Sequence, residues 1–351
     1  MDLIVNGHNI IEIVLITFLV SLILVPLSQK IAIHIGAIDY PNERKIHNKP
    51  IPRLGGLAIF GAFLFGYIMY GEINTQMISI LISSFLILLL GLFDDIKPIK
   101  AKYKFLVQII AALIVVIYGK IYFSEITLFG FVINLDIYSS YFLSTFFIVS
   151  IANAINLIDG LDGLAGGISA IYFLTIGILA FILNNIGGLD IILSLIMLGS
   201  TLGFLFFNFP PAKVFMGDCG SLFLGFMIAV ISLLGFKVTT ITSLIIPIII
   251  LALPIFDTIL AILRRLLKGE SIGKADKEHF HHQLLKLKFS PRVSIIIIYL
   301  ISLIFSVISI LFAIGDNMDA MILYLLVMVL VVFVILKTDI LIDHSKKRKA
   351  K

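Results

Sequence analysis

The sequence predicts an all-α, polytopic integral membrane protein with about eleven transmembrane helices. Apolar residues make up 60% of its 351 residues and charged residues only 13%, whereas soluble domains average about 45–50% and about 25%. At about 20 residues per bilayer crossing, this apolar content suffices for roughly ten spans. The single cysteine, Cys219, excludes a disulfide framework and a cysteine-rich metal cluster.

Apolar runs bounded by polar, Gly or Pro clusters mark the predicted spans. They cover about residues 10–27, 54–70, 77–93, 105–123, 141–155, 164–183, 189–207, 221–236, 240–263, 293–314 and 320–336. With the N-terminus outside, every Lys and Arg except Lys120 and Lys237 falls on the cytoplasmic side, as the positive-inside rule requires. We therefore expect a cytoplasmic C-terminus, a single membrane domain at residues 1–340 and a basic tail at residues 341–351. The net charge of +5 reflects this asymmetry and gives no reason to expect binding to nucleic acid.

Acidic residues at the inner ends of the spans indicate a functional site. They are Asp94, Asp95, Asp159, Asp162 and Asp218. Carboxylates at a membrane boundary are energetically expensive, so they suggest function by default. We expect them to line an active-site cleft on the cytoplasmic face.

The segment ANAINLIDGLDGLAGG, residues 152–167, contains the first motif. Asn156, Asp159 and Asp162 follow one another at intervals of three, so they could share one face of a helix. The alternative is a glycine-rich helix–helix contact. Such a contact would not need two carboxylates and two amides at the membrane boundary.

The segment NFPPAKVFMGDCGS, residues 208–221, contains the second motif. Pro210 and Pro211 end the preceding span. Asp218 then stands on a glycine-flanked turn, where a hard oxygen ligand suits Mg²⁺. The alternative is that Asp218 only caps the helix that follows.

Cationic side chains accompany the carboxylates. The Asp94–Asp95 pair is followed by Lys97, Lys100, Lys102 and Lys104. This combination suits a metal ion and a phosphate substrate together, although a solvated basic loop would explain some of the lysines.

Three histidines, His279, His281 and His282, occur within the segment KEHFHHQ. A zinc site there would lack a fourth ligand, so phosphate binding explains the cluster better. A polar loop between the first two spans adds Arg44, His47 and Lys49, whose role the sequence leaves ambiguous.

This set of residues indicates a class of chemistry. No nucleophile elbow and no P-loop are present. Carboxylates, a divalent metal and cations together favour transfer at a phosphate group. The interfacial position predicts a lipid reactant, and the cytoplasmic side predicts a soluble, anionic, nucleotide-activated donor.

The chain resembles the polyprenyl-phosphate N-acetylhexosamine-1-phosphate transferases, glycosyltransferase family 4. The resemblance spans nearly the full length and rests on the two motifs above, on the Asp94–Asp95 pair with Lys104, and on the histidine loop. It implies transfer of N-acetylglucosamine 1-phosphate from UDP-GlcNAc to undecaprenyl phosphate, which releases UMP. It also implies a location in the bacterial plasma membrane, a role in teichoic acid or O-antigen lipopolysaccharide synthesis, and a homodimer.

The resemblance implies roles for individual residues on the donor. Asn156 and Asp218 would hold Mg²⁺ on the donor pyrophosphate. Phe215 would stack on the uracil, and Asp162 would hydrogen-bond its edge. The cations that would neutralise the pyrophosphate are Lys104, His281 and His282. Further candidates for substrate binding are Arg44, His47, Lys49, Asp159, Asn208 and His279.

For the acceptor, the resemblance implies that Asp94 and Asp95 position or deprotonate the lipid phosphate. Two alternatives remain. A phospho-N-acetylmuramoyl-pentapeptide transferase would typically have three consecutive histidines, which Phe280 interrupts here. A transporter of anionic substrates would typically bury polar residues at the bilayer midplane, in repeated halves that this sequence lacks.

Overall fold

The computed structural model describes residues 4–41, 49–128, 131–183, 188–235, 245–267, 269, 279–314 and 317–337. These residues are mostly helical. The helices are α1 (Ile10–Ile35), α2 (Gly55–Tyr70), α3 (Thr75–Ile96), α4 (Ala101–Leu113), α5 (Ile137–Ile158), α6 (Leu164–Ile182), α7 (Leu189–Asn208), α8 (Gly217–Gly235), α9 (Ile245–Ile250), α10 (Ala252–Leu267), α11 (Phe280–Lys286), α12 (Pro291–Ile314) and α13 (Asn317–Lys337). A π-helical turn at Ile114–Tyr118 extends α4.

Three short antiparallel hairpins complete the described structure. Their strands are β1 (Ile4–Val5) with β2 (His8–Asn9), β3 (Ile38–Asp39) with β4 (Ile51–Pro52), and β5 (Glu125–Leu128) with β6 (Phe131–Asn134). In the second hairpin, Ile38 pairs with Pro52 and Asp39 with Ile51. This pairing fixes the chain immediately before α2, close to residues of the site described below.

Eight helical segments of the described residues are long and apolar enough to cross a membrane. They are α1, α3, α4 with its π-helical turn, α5, α6, α7, α8 and α12. Residues 55–70 and 318–330 form shorter apolar helices. The prediction of an all-α, multi-pass membrane protein is therefore confirmed, while the number of eleven spans and their orientation stay predictions.

The predicted span at residues 240–263 differs from the structure. The described part forms two helices, α9 and α10, which meet at Leu251. Pro247 and Pro254 lie on either side of this junction. Pro254 lacks an amide hydrogen and cannot donate to the preceding turn. The Leu251 amide nevertheless donates to the Pro247 carbonyl at 2.8 Å and the Ile255 amide to the Leu251 carbonyl at 3.0 Å, so helical hydrogen bonds continue across the junction.

The distribution of side chains on α1 is that of a lipid-facing helix. Small polar residues such as Thr17 and Ser21 are fully buried, and the Ser21 hydroxyl donates to the Ser200 carbonyl of α7 at 2.8 Å. Large apolar residues such as Leu15 and Ile23 are exposed instead. This inverted pattern is typical of membrane helices, which associate through small and hydroxyl residues.

The chain forms two compact units, residues 1–245 and residues 246–351. In the first unit α8 is the central helix, and it packs against α2, α3, α5, α6 and α7. Gly56 of α2 and Gly91 of α3 touch the backbone of Gly220 and Cys219, where a Cβ atom would clash. The first turn of α8 is therefore fixed by close backbone contacts on two sides.

In the second unit, α12 packs against α10, α11 and α13. α11 is a short helix of seven residues that contains His281 and His282, and His279 directly precedes it.

Candidate active site

Two loops of the first unit, residues 159–163 and 209–216, are held together by side-chain hydrogen bonds. The Asn208 carbonyl oxygen accepts from the Gly163 amide at 2.8 Å, and its amide group donates to the Val214 carbonyl at 2.8 Å. The Asp162 carboxylate accepts from the Ala212 amide at 3.0 Å. These bonds fix the end of α7 beside the start of α6.

This arrangement corrects one expectation. Asn156, Asp159 and Asp162 do not share one helical face, because α5 ends at Ile158 and Gly163 adopts a left-handed φ of 79° before α6. Asn208, for which substrate binding stays a prediction, is only 3% exposed, and its amide bonds to backbone at both ends. Its structural role is to join the two loops.

A carboxylate from α3 caps the first turn of α8. Gly217 begins this helix with φ of 73°, and the backbone amides of Asp218 and Cys219 donate to the two oxygens of Asp95 at 2.9 and 3.1 Å. The Arg53 guanidinium lies 3.8 Å from the same carboxylate. The alternative in which Asp218 caps its own helix does not apply, because Asp95 takes those amides.

Asp218 instead forms part of a charged chain with Asp94 and Lys104. The Lys104 ammonium donates to Asp218 at 2.8 Å and to Asp94 at 2.5 Å. The second oxygen of Asp94 accepts from the Ile99 amide at 2.7 Å, which closes the loop between α3 and α4. The side chains of Lys104, Asp218 and Asp94 are 24%, 21% and 12% exposed, so this chain of charges reaches the surface of the unit.

Asn156 adjoins this chain of charges. Its amide nitrogen donates to the Ser221 hydroxyl at 2.8 Å, and its side chain also hydrogen-bonds Asp218. Within the described residues, no three His, Cys, Asp or Glu side chains are grouped to hold a metal ion. An Asp carboxylate beside an Asn amide nevertheless fits Mg²⁺, which usually binds one or two carboxylates together with water and substrate phosphates.

The electrostatics of Asp159 reflect this concentration of negative charge. Burial, followed by the charges of Asp218 and Asp95, raises the pKa of Asp159 to about 8. An ordinary aspartate has a pKa of about 3.9. Without a bound cation, the folded protein therefore holds a proton on Asp159 at neutral pH.

This raised pKa predicts how stability depends on pH. Because the folded state binds the Asp159 proton more tightly than the unfolded state, stability falls as pH rises from about 4 to about 8. We expect Asp159→Asn to reduce this fall and to melt at a higher temperature than wild type at pH 8. Thermal unfolding of both proteins in detergent with a chelator would measure this difference in melting temperature.

Asp136→Asn provides a matched control. Hydrogen bonds from Ser139 lower the pKa of Asp136, so the contribution of Asp136 to stability is lost as pH falls. This trend is opposite to the one expected for Asp159. Identical melting temperatures of wild type and Asp159→Asn at pH 8 would contradict the assignment.

The structure places the remaining predicted residues of this unit as follows. Phe215 is partly buried, its amide donates to the Pro52 carbonyl at 2.8 Å and its carbonyl accepts from the Gly55 amide at 2.9 Å. Lys49 is exposed. Arg44 and His47 lie outside the described residues.

The predicted histidines lie in the second unit. His279 hydrogen-bonds Asp257 of α10 at 2.9 Å, and the Phe280 amide donates to the other oxygen of Asp257 at 3.0 Å. Asp257 thus anchors the start of α11. His281 is 1% exposed, and neither ring nitrogen has a hydrogen-bond partner among the described residues. Burial and the neighbouring His282 and His279 hold the pKa of His281 well below its usual value, so its ring is neutral.

Sequence reasoning missed three residues that support the site. Gln108 of α4 is 2% exposed and accepts a hydrogen bond from Asn153 of α5. Gln108 lies one turn beyond Lys104, and Asn153 lies one turn before Asn156. Their isolated amides inside apolar helices were the available signal. The third residue is Arg53, whose guanidinium lies beside Asp95.

Fold and site together define a multi-pass membrane enzyme whose carboxylates, amide and lysine suit chemistry at a phosphate group. A family model described as glycosyl transferase family 4 matches residues 77–236. A Bacillus subtilis protein named as a probable undecaprenyl-phosphate N-acetylglucosaminyl 1-phosphate transferase is 47% identical over 296 residues, 84% of this chain and 82% of its own length.

Two further relatives agree. A Mycolicibacterium smegmatis decaprenyl-phosphate N-acetylglucosaminephosphotransferase is 35% identical over 77% of this chain and 74% of its own length. An Escherichia coli undecaprenyl-phosphate alpha-N-acetylglucosaminyl 1-phosphate transferase is 29% identical over 81% of this chain and 78% of its own length. The chain belongs to glycosyl transferase family 4, which confirms the resemblance seen in its motifs, and it is a phosphoglycosyl transferase.

Proposed function

We propose that this protein transfers N-acetylglucosamine 1-phosphate from UDP-GlcNAc to undecaprenyl phosphate, giving undecaprenyl-diphospho-GlcNAc and UMP. The observation that supports this most is the 47% identity over most of the chain to a relative named for N-acetylglucosaminyl 1-phosphate transfer to undecaprenyl phosphate. The product would be the lipid-linked start of a cell-envelope glycan of the teichoic acid or O-antigen type. The relatives' names favour this reaction over the pentapeptide transferase and the transporter.

The proposed reaction is a direct displacement. An oxygen of the lipid phosphate attacks the phosphorus that bears the sugar, a new P–O bond forms, and the P–O bond to UMP breaks. UMP leaves with the bonding electron pair. The lipid phosphate needs little activation, because a phosphate monoester with a second pKa of about 6 is mostly dianionic at pH 7. Positioning of the two phosphates therefore matters more than removal of a proton.

The charges of the first unit suit this positioning. Lys104 offers its ammonium group between Asp94 and Asp218, where it can move from a carboxylate to an entering phosphate. Asp218 and Asn156 would hold Mg²⁺, which would neutralise the donor pyrophosphate when bound. Trapping a phospho-sugar on Asp94 or Asp95 would show a covalent intermediate and would overturn direct displacement.

Other residues are proposed to bind the donor. Phe215 would stack on the uracil and Asp162 would bond its edge. His279, His281, His282, Lys49, Arg44 and His47 are proposed contacts for anionic substrate groups. His281 is neutral and only 1% exposed, so we propose that it hydrogen-bonds phosphate oxygens without a permanent positive charge, and only where donor binding uncovers its ring. These contacts would lie on the cytoplasmic side of the bacterial plasma membrane. The family resemblance also implies that the protein forms a homodimer.

A UMP-release assay on the purified protein tests the function. With Mg²⁺ and undecaprenyl phosphate present, we expect UDP-GlcNAc to give more UMP than UDP-GalNAc or UDP-N-acetylmuramoyl-pentapeptide. Omitting the lipid phosphate should abolish release, because it supplies the attacking oxygen. Transport of UDP-GlcNAc into vesicles without UMP would favour a transporter instead.

A further inference from the structure

The two adjacent carboxylates Asp94 and Asp95 have different surroundings. The Asp95 side chain is 0% exposed, and its two oxygens accept the Asp218 and Cys219 amides. The Asp94 side chain is 12% exposed, and one of its oxygens bonds the Lys104 ammonium. A side chain with no exposed surface cannot touch a substrate without breaking its present bonds.

The sequence before α8 explains why Asp95 is needed there. The residues that precede this helix are Val214, Phe215 and Met216, none of which has a side chain that can accept a hydrogen bond from the first amides. Asp95 occupies the place of the missing N-cap, supplied from α3. Its negative charge also meets the positive end of the α8 dipole.

The capped amides belong to functionally placed residues. One of them is the backbone amide of Asp218 itself. The bond therefore fixes the backbone from which the Asp218 carboxylate reaches Lys104, and the left-handed Gly217 lets the Asp95 carboxylate approach without a clash.

We infer that Asp95 is a positioning residue that caps α8 from α3 and holds Asp218 in place, and that Asp94 alone of the pair meets the lipid phosphate. This inference rests on the proposed function. It divides the pair into one residue that contacts substrate and one that acts through Asp218.

The first test compares substitutions that differ in capping ability. Asparagine at position 95 keeps an acceptor oxygen at the reach of the Asp95 carboxylate, whereas serine is one bond shorter and alanine has no acceptor. We expect Asp95→Asn to keep UMP release within about tenfold of wild type, and Asp95→Ser and Asp95→Ala to lose about a hundredfold or more. Asp94→Asn should lose about a hundredfold, because a contact with the lipid phosphate has no such substitute. The KM for undecaprenyl phosphate should change in Asp94→Asn and stay unchanged in Asp95→Asn.

The second test reads the cap directly, without any turnover. Cys219 is the chain's single cysteine, it is buried, and its amide is one of the two that Asp95 holds. We expect N-ethylmaleimide to modify Cys219 roughly fivefold to thirtyfold faster in Asp95→Ala than in wild type. This factor corresponds to the free energy that is lost with one N-cap. Asp94→Asn should leave Cys219 protected.

Equal inactivity of Asp95→Asn, Asp95→Ser and Asp95→Ala, with Cys219 protected in all three, would overturn the inference and assign Asp95 a direct contact. Wild-type activity in Asp95→Ala would overturn it as well. If Asp95→Ala does not fold, UMP release and Cys219 labelling in Asp95→Asn and Asp95→Ser still decide whether Asp95 caps α8 or contacts the substrate. A wild-type protein without UMP release would refute the proposed function, whereas the labelling rates would still report on the cap.

Discussion

Asp218→Ala is expected to abolish UMP release, lowering turnover by at least about a hundredfold to a thousandfold. Asp218 is the residue on which the Lys104 ammonium, the Asn156 amide and the capped turn of α8 converge. Its loss removes both the proposed metal ligand and the carboxylate that orients Lys104. Steady-state UMP release by the purified variant would measure the effect.

Asp190→Ala is a matched control for this substitution. Asp190 is also a buried aspartate in the first turn of a helix, α7, but it is not among the proposed site residues. We expect this variant to keep turnover near the wild-type level in the fraction that folds. Turnover of Asp218→Ala close to that of Asp190→Ala would remove Asp218 from the site.

Lys104→Met is expected to have the second largest effect, a loss of about a hundredfold in turnover. The ammonium separates two carboxylates, so its removal leaves Asp94 and Asp218 as neighbouring like charges without a counterion. We therefore also expect a lower melting temperature in a chelating buffer. Lys104→Arg should not restore full activity, because a planar guanidinium does not replace a compact ammonium.

The double variant Lys104→Met with Asp94→Asn separates the two effects. Neutralising Asp94 removes the like-charge repulsion, so the melting temperature should recover while turnover stays low. Recovery of turnover in the double variant would show that Lys104 only balances charge and does not bind phosphate.

The membrane fold was predictable because its signal is local. Runs of about 20 apolar residues and the placement of lysine and arginine need no knowledge of tertiary contacts. At residues 240–263 the sequence places two prolines inside one span. In the described part of this span, α9 and α10 follow one another at Leu251 with helical hydrogen bonds across the junction.

The candidate site was predictable in composition but not in its contacts. The sequence identified Asp94, Asp95 and Asp218 as unusual, because carboxylates at span ends are costly. It could not show that Asp95 caps α8, because that bond joins residues more than a hundred positions apart. The expected helical face through Asp159 was wrong for a local reason, since α5 ends one residue earlier.

Gly56 and Gly91 leave the first turn of α8 no room to slide, because any added atom there would overlap the backbone of Gly220 or Cys219. Protein interiors packed this closely do not deform gradually. We therefore expect the Asp218 backbone to keep this position during turnover. An inhibitor that binds the Asp218 carboxylate would meet the same geometry at every stage of the catalytic cycle, and replacing either glycine with a bulkier residue would be a poor route to resistance.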